Sequence, residues 1–212
     1  MNKKIFIRPL IKAAGILLLS SVIFISCATN PKQEIPPENT KEPVTISRNI
    51  LGKGQLTPAQ LTYYFMQQRP DADVNEILNF AIDYVLEAKA EGINSDVAFA
   101  QMCLETGYLR FGGLVQPEFH NYCGLGAMDI DHPGEVFATR TLGIRAHIQH
   151  LQAYCTTEDV KLNKELIDPR YNWVHKTKYI EDIWGLAGTW ATDKQYAEKI
   201  DAILTRMENL QV

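Results

Sequence analysis

Apolar residues recur at helical spacing through most of the chain that follows residue 50, and this pattern predicts a mainly helical domain. The first helix is expected to begin at Pro58, because Thr57-Pro58-Ala59-Gln60 supplies a threonine cap, a proline in the first turn and a glutamine three residues after the cap. It is expected to end near Gln68, since Pro70 follows closely and proline disrupts a helix.

The second helix is expected to run from about Asp73 to Glu91, and Gly92 suits the left-handed conformation that often ends a helix. One face carries five apolar residues at helical spacing: Ile77, Leu78, Ala81, Val85 and Ala88. We therefore expect this face to pack on the core.

The third helix is predicted over residues 96–109, after a cap at Asn94, Ser95 or Asp96. It is apolar on nearly every side, so it should be buried. Glu105 lies toward its C-terminal end, where burial and the helix dipole both disfavour a charged carboxylate. Such a carboxyl group can donate a proton near neutral pH. The alternative is a glutamate that reaches solvent as the helix leaves the core.

The second half of the chain alternates between loops and helices. Residues 110–137 are rich in glycine and predict loops with a small hairpin. A fourth helix is expected over residues 141–154, one short helix within the irregular residues 156–180, and a last helix from a cap at Asp193 to about Leu210. The inward residues of the fourth and last helices are predicted to be Leu142, Ile148, Leu151, Ala197, Ile200, Leu204 and Met207.

The start of the chain has the pattern of an export segment. Residues 1–26 carry four basic residues and no acidic one, and the apolar run 13–25 would rise only about 20 Å as a helix, short of the roughly 30 Å bilayer core. Phe24-Ile25-Ser26-Cys27 resembles the lipobox of bacterial lipoproteins. This resemblance implies a lipid-modified Cys27 and a membrane-anchored protein on the periplasmic or extracellular face of the cell envelope. The alternative is an ordinary cleaved signal with a chance cysteine.

Composition separates a spacer from a single domain. Residues 27–49 hold four of the ten prolines and few large apolar residues, so they predict an extended tether before a domain at 50–212. The 212-residue chain has a net charge of −4 and the export segment +4, so the remainder carries −8. This balance argues against a nucleic-acid partner.

Three separated motifs resemble those of bacterial glucosaminidases of glycoside hydrolase family 73. Residues 100–108 (AQMCLETGY) are similar to the family's Gln-x-x-Leu-Glu-Ser-Gly run, which carries the catalytic acid. Residues 121–124 (NYCG) resemble its Asn-Leu-Phe-Gly segment, and residues 188–197 (GTWATDKQYA) its Tyr-Ala-Thr-Asp-Pro-x-Tyr-Ala run. The resemblance covers about residues 75–205. It implies a lysozyme-like α+β fold, in which a helical lobe and a small lobe of loops and a hairpin form a cleft.

The resemblance also implies a reaction. The substrate would be the peptidoglycan glycan strand, cleaved at the β-1,4 bond after N-acetylglucosamine, with Glu105 as general acid. Many glycosidases use a second carboxylate, and Glu135 is the best positional match among the candidates. The alternative is a solvated loop acid. A water-activating base, an ion stabiliser and a substrate-assisted route all remain open. The other candidate carboxylates are Glu118, Asp129 and Asp131.

Four further residues are candidates for substrate binding. Trp190 replaces a family tyrosine and lacks its hydroxyl, so it would stack on a sugar or pack in the core. Asn121 would bind an N-acetyl group or support a loop turn. Tyr108 and Tyr122 are expected to be cleft aromatics, although Tyr108 also suits the core.

Histidine and cysteine positions predict no metal site. His147 and His150 are three residues apart, but no third ligand stands at a diagnostic spacing, so a polar, partly exposed helix face is expected. Cys103, Cys123 and Cys155 would form one disulfide or remain three buried thiols. A cysteine nucleophile with a histidine has no supporting sequence context.

The sequence therefore predicts a monomeric, lipid-anchored peptidoglycan hydrolase without a cofactor. Two alternatives stay open: a lytic transglycosylase on the same fold, which would use one glutamate and release anhydro-sugars, and a non-catalytic lipoprotein that binds peptidoglycan. An acid inside a matching motif argues against the second. Sequence alone does not distinguish endo from exo cleavage.

Overall fold

The computed structural model describes residues 44–157 and 159–210, which form six α-helices, two short 3₁₀ helices and one small antiparallel sheet. The predicted mainly helical fold with a small hairpin lobe is confirmed. The helices are α1 Pro58–Gln68, α2 Val74–Glu91, α3 Ser95–Thr106, α4 Arg140–Cys155, α5 Tyr171–Thr177 and α6 Tyr196–Glu208. The strands are β1 Ala127–Asp129 and β2 His132–Pro133, and the 3₁₀ helices are Pro117–Phe119 and Ile183–Leu186.

The first two helices begin and end where their local sequence predicts. The Thr57 side chain accepts a hydrogen bond from the Gln60 backbone, and the Gln60 side chain accepts one from Thr57, which completes the capping box. Asp73 caps α2, and Gly92 ends it with a φ of 72°. Side chains and backbone thus satisfy terminal groups that would otherwise lack partners.

Two predicted helix ends were wrong. Helix α3 ends at Thr106, because Gly107 takes a φ of 57° and Tyr108 and Leu109 also adopt positive φ. Asp193 does not cap α6. Its carboxylate accepts a hydrogen bond from the Gln195 backbone, so it forms a turn before the helix begins at Tyr196.

Helix α3 lies at the centre of the core, as its apolar character predicted. It packs against α2, α4 and α6. The predicted inward faces of the other helices are also turned toward the core, with Leu78, Val85 and Leu142 only partly buried. The fully buried residues of α3 include Val97, Ala98, Phe99, Ala100, Met102 and Cys103.

Residues 44–49 belong to the folded domain, which corrects the predicted end of the tether. Ile46 is only 2% exposed, and the Arg48 guanidinium forms ion pairs with Asp201 and Glu208 of α6. The Asn94 side chain donates to the backbone of this segment as well. The predicted export segment, Cys27 and residues 28–43 of the predicted tether lie outside the described residues.

The loop-rich lobe sits directly on α4. Gly143 faces the carbonyl of His120, and a Cβ at position 143 would fall 1.7 Å from that oxygen. The absent side chain therefore lets the loop that follows His120 approach the helix. This loop carries Asn121 and Gly124 into the neighbourhood of α3.

Cysteine pairing and membrane spans can be judged for the described part of the chain. There Cys103, Cys123 and Cys155 are three buried free thiols, which is one of the two arrangements that the sequence left open. None of the described helices is both long enough and apolar enough to cross a bilayer.

Candidate active site

Glu105 lies in the last turn of α3, and one of its carboxylate oxygens is held by two donors. The Trp190 indole Nε1–H donates to Glu105 Oε1 at 3.0 Å, and the Tyr196 hydroxyl donates to the same oxygen. Burial raises the pKa of Glu105 above its usual value, and these two hydrogen bonds oppose that rise. The carboxyl group is therefore both oriented and biased toward its protonated form.

The other oxygen of Glu105 remains open for a reaction. Oε2 has no hydrogen-bond partner among the described residues and is not enclosed by protein atoms. It faces the backbone of Gly124, where a Cβ would lie 3.8 Å away. Since Oε1 already accepts two hydrogen bonds, Oε2 is the oxygen on which an acidic proton is available to a ligand.

Two cavities meet at Glu105. The larger, of about 460 Å³, extends past Trp190 toward α5, and the smaller, of about 180 Å³, extends toward residues 111–115. Both are lined by Glu105, Gly124 and Ala127. The Glu105 carboxyl group thus lies between the two cavities. This position suits an acid that acts on a bond between two units of a chain-like ligand, with one unit in each cavity.

A buried series of hydrogen bonds leads from α2 to the acid. The Tyr84 hydroxyl lies 2.9 Å from His147 Nδ1, and His147 Nε2 lies 3.0 Å from Gln101 Oε1. Gln101 Nε2 donates to the Tyr196 hydroxyl at 2.9 Å, and Tyr196 donates to Glu105. Burial lowers the pKa of His147 to about 3, so the ring is neutral and carries one proton. That proton is on His147 Nε2, which donates to Gln101 Oε1, so every donor in the series points toward Glu105.

Glu135 lies on the opposite lobe, close to the larger cavity. Its carboxylate covers Gly126, where a Cβ would fall 3.2 Å from Glu135 Oε1, and Gly126 lines that cavity. Its backbone N–H donates to Leu125, and its carbonyl accepts from Asn121. The loop thus places a second carboxyl group beside Gly126, although Glu135 is not itself among the residues that line either cavity at Glu105.

Comparison with known proteins matches residues 81–209 to the glucosaminidase family, described as mannosyl-glycoprotein endo-beta-N-acetylglucosaminidase. The chain belongs to the glucosaminidase family. It is also 41% identical over 177 residues to an uncharacterized protein of Borreliella burgdorferi (strain ATCC 35210 / DSM 4680 / CIP 102532 / B31), which covers 82% of this chain and 83% of that protein. No solved structure matches this chain. The family description points to a glycoside hydrolase, and the matched region contains Glu105, Glu135, Trp190 and Tyr196.

Two of the four predicted binding residues lie at the cleft of this glucosaminidase domain. Trp190 lines the larger cavity, and its indole also packs against His150 and Tyr154. Asn121 lines the smaller cavity, but its amide is 1% exposed and bonds Leu125 N–H and C=O at 2.9 Å each. The structure thus uses Asn121 to support the loop, which is the second of the two roles considered.

Tyr108 and Tyr122 are not among the residues that line either cavity at Glu105. The Tyr108 hydroxyl bonds Tyr64 at 2.7 Å, and its ring packs on Phe65. Tyr122 is 5% exposed and packs edge-on against Phe80. The prediction of Tyr122 as a cleft aromatic is therefore corrected, because its ring packs in the core. For Tyr108, the structure shows the second of the two alternatives, packing against the core.

The prediction of a partly exposed histidine face on α4 was wrong. His147 is fully buried, and His150 is 6% exposed with Nδ1 at 2.7 Å from Asp168 Oδ2. Each ring has a polar partner, which satisfies it in the core. Within the described ranges, no group of three or more His, Cys, Asp or Glu residues could hold a metal ion.

Three site residues were missed from the sequence. Tyr196 and Gln101 stand inside the quoted motifs, and that position was the available signal for their contact with the acid. Trp173 stands outside them, yet it is 56% exposed and lines the larger cavity from α5. An exposed indole in a short helix within an irregular segment gives no periodic pattern that would mark it.

Proposed function

We propose that this protein hydrolyses the peptidoglycan glycan strand at the β-1,4 bond after N-acetylglucosamine, with Glu105 as general acid. One observation carries the proposal: Glu105 sits between two cavities with Oε1 held by Trp190 and Tyr196 and Oε2 open. A positioned acid of this kind contributes about 10²–10⁴ in rate.

In the proposed reaction, Oε2 transfers its proton to the glycosidic oxygen as the bond to the anomeric carbon breaks. Sugar units on the two sides of that bond would occupy the two cavities. The raised pKa keeps the proton on Glu105 before the reaction, and the donors on Oε1 stabilise the carboxylate that forms. Water then attacks the oxocarbenium-like centre and regenerates a reducing end.

We place Glu135 across the cleft as the second carboxyl group. Its contact with Gly126 at the cavity edge supports this role. It would stabilise positive charge on the sugar or accept a proton from the attacking water. The lipobox-like residues 24–27 further support a proposal that the protein is a lipoprotein of the cell envelope, held at a membrane through Cys27.

Product analysis tests the reaction. The full chain is incubated with purified peptidoglycan, and soluble fragments are identified by mass spectrometry. Reducing N-acetylglucosamine ends are expected. Anhydro-sugar ends would instead identify a lytic transglycosylase, and binding without fragment release would identify a non-catalytic protein.

Tyr196→Phe is expected to move the alkaline limb of the pH–rate profile to higher pH. The Tyr196 hydroxyl lowers the pKa of Glu105 by bonding its charged form, so its removal raises that pKa and leaves the acid protonated to higher pH. A hydrogen bond to a charged group corresponds to a shift of about one pH unit. The measurement is kcat/KM against pH, with the exposed Tyr63→Phe as control; an unmoved or lowered limb contradicts the assignment.

Glu135→Ala is expected to lower turnover by at least about tenfold while the fold persists, because a carboxyl group would be lost beside the reacting sugar. Asp131→Ala in the neighbouring hairpin turn is the matched control, since Asp131 is exposed and, unlike Glu135, is not among the nearest neighbours of Gly126 at the cavity edge. Turnover and circular dichroism are measured for both. Near-wild-type turnover of Glu135→Ala would remove Glu135 from the mechanism.

A further inference from the structure

The wall of the larger cavity formed by α5 carries two cations. Arg170 directly precedes α5 and Lys178 directly follows it, and both line the same cavity as Glu105. Neither forms an ion pair with any residue that the structure describes. The chain beyond its export segment is acidic, so this wall is a local exception to the overall charge.

The backbone of Arg170 is anchored beside the cavity, and its exposed side chain extends from there. The Arg170 backbone N–H donates to Asp168 Oδ1 at 2.8 Å, while Asp168 Oδ2 is bound to His150. The Arg170 guanidinium lies 5.9 Å from the centre of the Trp173 ring, a distance at which cation and ring attract each other. The guanidinium is therefore accessible to an anion that enters the cavity.

Arg170 and Lys178 do not account for the raised pKa of Glu105. Burial and the bonds from Tyr196 and Trp190 account for the pKa of Glu105, with no contribution from Arg170 or Lys178. Their position suits a negative charge on the ligand that lies away from the bond being cleaved.

We propose that Arg170 and Lys178 bind a carboxylate of the peptide carried by the glycan strand, so that the protein prefers peptide-bearing to peptide-free strands. This inference rests on the proposed function. N-acetylated sugars carry no fixed charge, and the lactyl carboxyl group of the strand is blocked by an amide bond wherever a peptide is attached, whereas the peptides themselves have free carboxylates. A planar guanidinium matches a carboxylate with two parallel hydrogen bonds, and the adjacent Trp173 offers a flat apolar surface to a sugar or peptide.

The test compares two substrates made from one preparation: intact peptidoglycan, and the same strands after an amidase has removed the peptides and the lactyl carboxylates thus exposed have been capped as methylamides. The full chain, the Arg170→Gln/Lys178→Gln variant and a control are assayed on both. The control, Lys53→Gln/Lys89→Gln, removes the same charge from two exposed lysines that line neither cavity at Glu105. Thermal unfolding verifies that all three are folded.

For the cavity variant, the ratio of kcat/KM on peptide-bearing strands to that on peptide-free strands is expected to fall about tenfold, mainly through KM. The control should keep the wild-type ratio. An equal loss on both substrates, or no loss on either, would overturn the inference.

A binding measurement separates this inference from the proposed function. The binding of Glu105→Gln protein, with and without the two cavity substitutions, is measured as retention on beads that carry either the peptide-bearing or the capped peptide-free strands. Absence of cleavage by the wild type would refute the proposed function alone. Stronger retention on peptide-bearing strands that the cavity substitutions abolish would then still support carboxylate recognition, and equal retention on both preparations would refute it.

Discussion

Glu105→Gln is expected to lower kcat/KM on peptidoglycan by about 10²–10⁴, because it removes the acidic proton and keeps the shape of the side chain. The amide oxygen can still accept hydrogen bonds from Trp190 and Tyr196, so the surrounding structure should persist. Release of reducing ends by the wild type and the variant measures the effect.

Two controls test whether the loss of activity is specific to Glu105 and whether the variant is folded. Glu198→Gln changes the same residue type on the exposed face of α6 and is expected to leave the rate within twofold. Thermal unfolding of Glu105→Gln should stay close to that of the wild type at neutral pH, because the amide keeps the shape of the side chain and an acceptor oxygen for Trp190 and Tyr196. Equal reducing-end release by the wild type and Glu105→Gln would refute the assignment of the acid.

Gly143→Ala is expected to destabilise the domain, although alanine ordinarily favours a helix over glycine by about 1 kcal/mol. The new methyl group would meet the His120 carbonyl at 1.7 Å, and backbone on both sides limits relaxation. Overpacking typically costs about 1–3 kcal/mol and more against rigid backbone. We expect a net loss of about 2–3 kcal/mol, which lowers the Tm by roughly 5–10 °C for a domain of this size.

Gly112→Ala is the matched control for that experiment. A Cβ at Gly112 would meet nothing within 4 Å, and its φ is not in the left-handed region. Its stability should change by less than about 0.5 kcal/mol. Equal melting temperatures for both variants would show that the loop at His120 can shift away from α4 at little cost. The contact between His120 and Gly143 would then not determine the position of the loop.

Much of the fold could be predicted because the relevant forces act locally. The capping box at Thr57 and the glycine after α2 specify helix ends through bonds between near neighbours. The end of α3 was missed because Tyr108 and Leu109, in helix-compatible sequence, adopt positive φ under tertiary contacts. Residues 44–49 were missed for the same reason, since Ile46 and Arg48 find partners more than 150 positions away.

In the candidate site, too, local features could be predicted from the sequence, whereas contacts that depend on tertiary packing could not. The position of Glu105 in a buried helix was visible in the pattern, together with the cause of its raised pKa. The donors that orient it come from residues 190 and 196, and their convergence depends on how α6 packs on α3. The predicted position of Tyr122 was wrong, because this aromatic residue of the 121–124 motif packs in the core against Phe80.

In the proposed reaction, the direction of the hydrogen bonds from Tyr84 to Glu105 determines how the acid would be restored. An incoming proton would have to cross the Gln101 amide, which neither gains nor releases protons readily at neutral pH. After each turnover, the carboxylate would therefore regain its proton through Oε2, from water or product in the cleft. Because the product would also leave from beside Oε2, a ligand that stays bound there would delay both reprotonation and product release.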